Sequence, residues 1–156
     1  MGNYFYSGAV DRSGNIFVLD TRDQTAKRQT VRLLKCDDQG SLIWTVKLYG
    51  RGGTTTISSV RGIDVDNAGN VYVLVTGLGL TTNATEDTAR VMKYDDQGSC
   101  IWDVDIDWGD ADVTGLRVDD KGKIYVFGGG TTSNHRFVKV LDDQGSSIWT
   151  GATTLY

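Results

Sequence analysis

The chain has no proline, one histidine, two cysteines and no apolar run near the ~18 residues that a membrane-spanning helix needs. Each scarcity excludes something. Without proline, 20 glycines must supply the punctuation between elements, as expected of many short strands joined by tight turns. Two cysteines, Cys36 and Cys100, make no disulfide framework or metal site and are expected to be buried free thiols. Basic residues are also scarce: 16 Lys and Arg against 20 Asp and Glu leave a net charge of −4 without a basic cluster, which argues against nucleic acid and anionic membrane as partners. Met1-Gly2-Asn3-Tyr4 has neither a basic nor an apolar leader pattern, so a soluble chain, cytoplasmic by default, is expected.

The lone His135 bears on chemistry. There is no Ser-His-Asp spacing, no cysteine beside a base, no phosphate-cradling motif and no haem or dinucleotide signature. The chain is therefore expected not to be an enzyme, with no cofactor. The acidic run Asp103, Asp105, Asp107, Asp110, Asp112 does not make a calcium loop, because Trp108 and Thr114 stand where an EF-hand has Gly and Glu. Alternating carboxylates on a strand read as a solvated face, and no metal site is expected.

What is present is repetition. Asp37-Asp38-Gln39-Gly40-Ser41-Leu42-Ile43-Trp44 returns as Asp95-Asp96-Gln97-Gly98-Ser99-Cys100-Ile101-Trp102 and as Asp142-Asp143-Gln144-Gly145-Ser146-Ser147-Ile148-Trp149. A second motif precedes each copy: Val10-Asp11 with Gly14-Asn15-Ile16-Phe17-Val18, Val65-Asp66 with Gly69-Asn70-Val71-Tyr72-Val73, and Val118-Asp119 with Gly122-Lys123-Ile124-Tyr125-Val126. A shared period of roughly fifty residues belongs to a propeller or an array.

Each repeat contains four extended segments. In the middle repeat, the run from Asn70 to Thr76 is unbrokenly apolar and reads as a strand covered on both faces. In the fourth segment Trp102, Val104 and Ile106 alternate with Asp103 and Asp105, which describes a half-exposed strand. The Asp-x-x-Gly sequences between segments read as hairpin turns, with Asp capping and Gly at positive φ. In the third repeat Lys139-Val140-Leu141-Asp142 has one residue more than Lys93-Tyr94-Asp95, so aligning the lysines predicts a bulge there.

These motifs carry a resemblance. Gly62-Ile63-x-Val65-Asp66-x-x-Gly69-Asn70-Val71-Tyr72-Val73, followed by Val91-x-Lys93-Tyr94-Asp95-x-x-Gly98-x-x-x-Trp102, resembles the SBBP β-propeller repeat family and is similar to NHL-type blades. The resemblance implies an all-β propeller of four-stranded antiparallel blades around a central channel, here three blades at roughly 4–50, 58–107 and 111–156 in one domain, and it implies no catalytic residues. A ring needs about 4 to 8 blades. With Met1 and whole-blade boundaries, a homodimer closing a six-bladed ring is expected, the alternative being three blades of a longer chain. Apolar segments such as 16–19 and 124–127 would otherwise lie bare at the ends.

The long, variable connections, at 21–30, 49–59, 77–88, 107–114 and 128–135, fall on one face, opposite the uniform turns. Binding residues are expected there. Trp108 with Asp110, and Asn134, His135 and Arg136, are the candidates: an aromatic platform beside hydrogen-bonding groups suits a sugar ring, while packing of Trp108 between blades is the plainer reading. The function expected from the sequence is a non-enzymatic binding or interaction module, possibly lectin-like, with a glycan or protein as its ligand. The alternatives are a structural docking propeller and, more weakly, a propeller hydrolase or lyase.

Overall fold

The computed structural model describes residues 3–23, 29–49, 57, 59–78, 87–106, 111–130 and 135–154. Among these there are twelve strands and no helix. The first sheet contains β1 (Asn3–Val10), β2 (Ile16–Asp23), β3 (Gln29–Cys36) and β4 (Leu42–Leu48). The second contains β5 (Ser59–Val65), β6 (Val71–Leu78), β7 (Asp87–Tyr94) and β8 (Cys100–Ile106), and the third β9 (Ala111–Val118), β10 (Ile124–Gly130), β11 (His135–Leu141) and β12 (Ser147–Thr154). Strands follow chain order within every sheet, and all pairs are antiparallel. The predicted all-β fold of three four-stranded antiparallel blades is thus observed, in a propeller-like arrangement.

The six Asp-x-x-Gly turns close all the hairpins of one end in the same way. Gly14, Gly40, Gly69, Gly98, Gly122 and Gly145 take φ of 78–85°, a region closed to most side chains. Each Gly N–H donates to the carbonyl of the turn's Asp at 3.0 or 3.1 Å. That Asp's carboxylate then accepts the backbone N–H groups two and four residues on, for example Lys121 and Lys123 onto Asp119 at 2.9 Å each. These bonds hold the Asp119 carboxyl below its ordinary range. Tyr72 and Tyr125 reach back to Asp66 and Asp119 at 3.0 and 3.1 Å. Burial, together with Asp66, raises the Tyr72 phenol far above its usual value.

Alternation along the strands gives every sheet two apolar faces. Phe17, Leu19, Val31 and Leu33 pack on Val71, Val73, Val75, Met92 and Tyr94, and Tyr72, Leu74, Val91 and Ile106 pack on Leu116, Ile124, Val126 and Leu141. The middle sheet is therefore covered on both faces, as its apolar run predicts. In the end sheets only alternate residues face outward: Phe17, Leu19, Ile124 and Val126 are buried against the middle sheet, while Ile16, Val18 and Tyr125 are half-exposed.

A repeated polar contact joins neighbouring sheets. Trp44 Nε1–H donates to the carbonyl of Asp96 at 2.9 Å, and Lys35 Nζ donates to the same oxygen at 3.1 Å. One sheet further on, Trp102 and Lys93 do the same to the carbonyl of Asp143 at 2.9 and 3.3 Å. Burying these ammonium groups is tolerable because each also lies over an aromatic ring, Lys35 5.5 Å from the centroid of Phe17 and Lys93 5.2 Å from that of Tyr72. The indoles cover the turn glycines, where a Cβ on Gly98 or Gly145 would come within 3.2 Å of Trp44 or 3.3 Å of Trp102.

Three expectations need correction. The bulge predicted at Lys139–Leu141 is not in β11, whose register with β10 runs unbroken from Ile124↔Leu141 to Gly129↔Arg136. The turn sets the register rather than the lysine, so Val140 occupies the place of Lys35 and Lys93. A bulge does occur in every fourth strand, at Ile43, Ile101 and Ile148. The cysteines are free but not buried: Cys36 is half-exposed and Cys100 exposed. Asp103 and Asp105 are not merely a solvated face, since they hold the guanidinium of Arg90, which is 1% exposed, at 2.8 and 2.7 Å.

Candidate functional site at the inner edge of the sheets

The first strands of neighbouring sheets meet, β1 against β5 and β5 against β9. Each carries a bulge at the same repeat position. Register slips between Phe5 and Ser7, between Val60 and Gly62, and opposite Phe127–Gly128 set Tyr6, Arg61 and Thr114 outside the regular pairing. A bulge bends a strand and re-aims one side chain, and such positions are frequent beside functional sites. The residue after each bulge is small: Ser7, Gly62 and Gly115. At Gly62 the reason is close approach, because a Cβ there would lie 3.2 Å from the backbone nitrogen of Leu116.

Around these bulges lies a cleft of about 410 Å³, lined by Ser7, Arg61, Gly62, Thr114, Gly115, Leu116, Arg117 and Phe127. Arg61 is aimed by two partners, donating Nε–H to Thr76 Oγ1 at 3.3 Å and pairing with Asp112 at 3.2 Å. Arg117 donates to the carbonyl of Leu116 at 2.9 Å. A guanidinium has five N–H donors, so both keep donors for a further acceptor. The Thr114 hydroxyl donates to the carbonyl of Phe127 at 3.3 Å, and Phe127 is 37% exposed. Asp64, beside the cleft, ties the sheets together by accepting the Val118 N–H at 2.8 Å. The chemistry assembled is two cations, one of them paired with the Asp112 carboxylate, two hydroxyls and one apolar ring face.

Of the residues singled out from sequence, His135 and Arg136 are among the described ones and do not line this cleft. Trp108, Asp110 and Asn134 fall outside the described residues. His135 and Arg136 open β11 rather than occupying a loop, paired with Thr154 and Thr153 on one side and, for Arg136, with Gly129 on the other. Asp112, the last of the acidic run, is the partner of Arg61. Arg61, Arg117, Ser7, Thr114 and Phe127 were not anticipated. A signal was available: in every repeat a small residue follows a variable one inside the first strand, as Tyr6-Ser7, Arg61-Gly62 and Thr114-Gly115. Glycine within a strand marks a bulge or a close approach. Among the described residues no group of His, Cys, Asp and Glu is placed to hold a metal ion, and no helix is long and apolar enough to cross a membrane.

No family model and no curated protein matches the chain. Solved structures do. A protein of unknown function from Bacteroides caccae is 12% identical at a TM-score of 0.59, over 99% of this chain and 47% of that one. A Glu150Asp mutant of the Synechocystis apocarotenoid oxygenase is 12% identical at a TM-score of 0.60, over 97% of this chain and 39% of that one. A chimera of ACO and RPE65 gives 12% and 0.58, with the same coverage. The chain thus spans less than half the length of these proteins, and the likeness is one of fold.

That likeness corrects the functional expectation. The expectation of a non-enzymatic module, lectin-like or docking, rests on the absence of catalytic motifs and on a repeat scaffold that implies no catalytic residues, yet an oxygenase contains a similar arrangement of sheets over 39% of its chain. Architecture therefore gives no ground for excluding catalysis here.

Proposed function

We propose that the chain acts through the cleft at its inner edge, which receives a small ligand bearing an anionic group, with Arg61 and Arg117 as its charge partners and Phe127 against its apolar part. The observation that carries this reading is the repeated bulge: one backbone irregularity at the same place in three sheets, carrying three different side chains, of which Arg61 and Thr114 line the cleft. Charge-assisted, forked N–H donors suit carboxylate or phosphate. Ser7 and Thr114 add hydroxyl partners, so that convergent polar groups predominate in the lining, with Leu116 and Phe127 as its apolar part. The assignment of the repeats to the SBBP type belongs to this proposal and rests on the two motifs alone.

The test is thermal unfolding at constant ionic strength against inorganic phosphate, citrate and phenyl phosphate. Ligand at a hundred times its Kd adds about 2.7 kcal/mol to stability. The parent midpoint is expected to rise with at least one of these anions, and the Arg61→Gln/Arg117→Gln double variant is expected not to respond. An equal response from the double variant, or none from the parent, contradicts the reading.

A further inference from the structure

The contact joining sheet one to sheet two and sheet two to sheet three exists a third time, as two separated halves. Its donor half is on the last sheet. Trp149 stands where Trp44 and Trp102 stand, but it is 56% exposed. Its acceptor half is on the first sheet, where Gly40 has nothing within 4 Å of an added Cβ, whereas Gly98 and Gly145 are each covered by an indole. The apolar rim is split in the same way. Val65 and Val118 pack into the joints, while Val10, at the equivalent position, is 62% exposed.

We propose that a second copy of this chain completes this joint, head to tail in both directions, so that two chains close a six-bladed ring. The inference goes beyond the cleft reading and does not depend on it. The occupant is a second copy because the two bare faces match one another as the faces of the two formed joints do. Outward-facing Tyr125, Val138 and Trp149 meet Ile16, Val18 and Leu34 of the other chain, repeating the packing of Tyr72, Val91 and Trp102 on the third sheet. Trp149 Nε1–H then donates to the Asp38 carbonyl of the second copy, as Trp44 does to Asp96 and Trp102 to Asp143. A two-fold axis makes both new joints at once, and closure removes both bare faces.

The third joint differs from the other two in two ways. Val140 replaces the lysine, so each new joint has one hydrogen bond fewer. Gly151 replaces Val46 and Val104, and in the separate chain the indole of Trp149 lies over it, in the space a Cβ would need. Gly151 thus gives the indole a resting place on its own strand, which it leaves when the joint forms.

Light scattering after size exclusion tests this. The parent is expected at twice 17.0 kDa. Trp149→Glu and Val10→Glu alter opposite halves of the joint at exposed positions, so each is expected to run at 17.0 kDa with an unchanged circular dichroism spectrum. Mixing the two variants leaves one of the two joints wild type, and a dimer is expected to reappear. A parent that stays at 17.0 kDa at every concentration, the result expected if further blades of a longer chain cover these faces, overturns the proposal. So does a dimer that survives both substitutions, a mixture that recovers none, or a parent of any mass above twice the chain.

Discussion

The turn end and the inner edge of this molecule both repeat, but they repeat different things. At the turn end the backbone and the side chains recur together: Asp, Gly at positive φ, and the same N–H groups on the same carboxylate, six times over. At the inner edge only the backbone recurs. Three bulges fall at one position of the repeat, yet they carry Tyr6, Arg61 and Thr114. Where side chain and backbone are kept together, the side chain makes the backbone possible. Where the backbone is kept and the side chain varies, the position is free to serve a ligand.

The largest effects should come from the turn end. Gly98→Val forces a β-branched residue to positive φ, costing about 1–2 kcal/mol, and drives it into Trp44 and Val46, adding roughly 1–3 kcal/mol of overpacking. Gly40→Val meets open space and carries only the first of these costs. Denaturant unfolding in a Trp149→Glu background, which keeps chains apart, should separate the two variants by about 2 kcal/mol. Equal losses would mean that the indole does not seat on Gly98. Next comes the hydrogen bond itself. Trp102→Phe keeps a ring but loses the donor to Asp143, for about 1 kcal/mol, whereas Trp149→Phe in the separate chain should change nothing measurable.

A smaller effect appears in acid. The backbone N–H groups of Lys123 and Lys121 keep the Asp119 carboxyl low, so its stabilisation is complete above the ordinary carboxylate pKa of about 4 and is lost as pH falls through the lowered value. Melting midpoints taken downward from neutral pH should fall more steeply for the parent than for Asp119→Asn. Parallel curves would remove the turn carboxylate from the account. The smallest effect on stability belongs to the inner edge: Arg61→Gln breaks an ion pair whose partners are 35% and 49% exposed, worth less than about 1 kcal/mol. A loss as large as that at Gly98 would make Arg61 structural.

Much of the fold was legible in the sequence, because the turns announce themselves. An Asp three residues before a Gly, six times, sets strand ends, hairpin register and sheet count without any tertiary information. The lysine-based bulge failed for the same reason: Lys139 looked equivalent to Lys93, but pairing is counted from the turn, and the turn places Val140 there. The site was less legible. Its residues are set by contacts between sheets, such as Gly62 against Leu116, and local pattern does not say which strand lies innermost. Unusual residue types such as Trp108 and His135 stand out in a sequence, whereas the inner edge is marked by small residues in strand interiors.

The claim that function sits at the inner edge is tested most directly by mapping amide chemical shifts while citrate and phenyl phosphate are added to the labelled chain. The account predicts changes centred on Ser7, Arg61, Gly62, Thr114 and Gly115, the backbone of the three bulges, with the turn amides of Gly40, Gly98 and Gly145 unmoved. Changes centred on the turns, or on His135 and Arg136 at the start of β11 with the bulges silent, would contradict it.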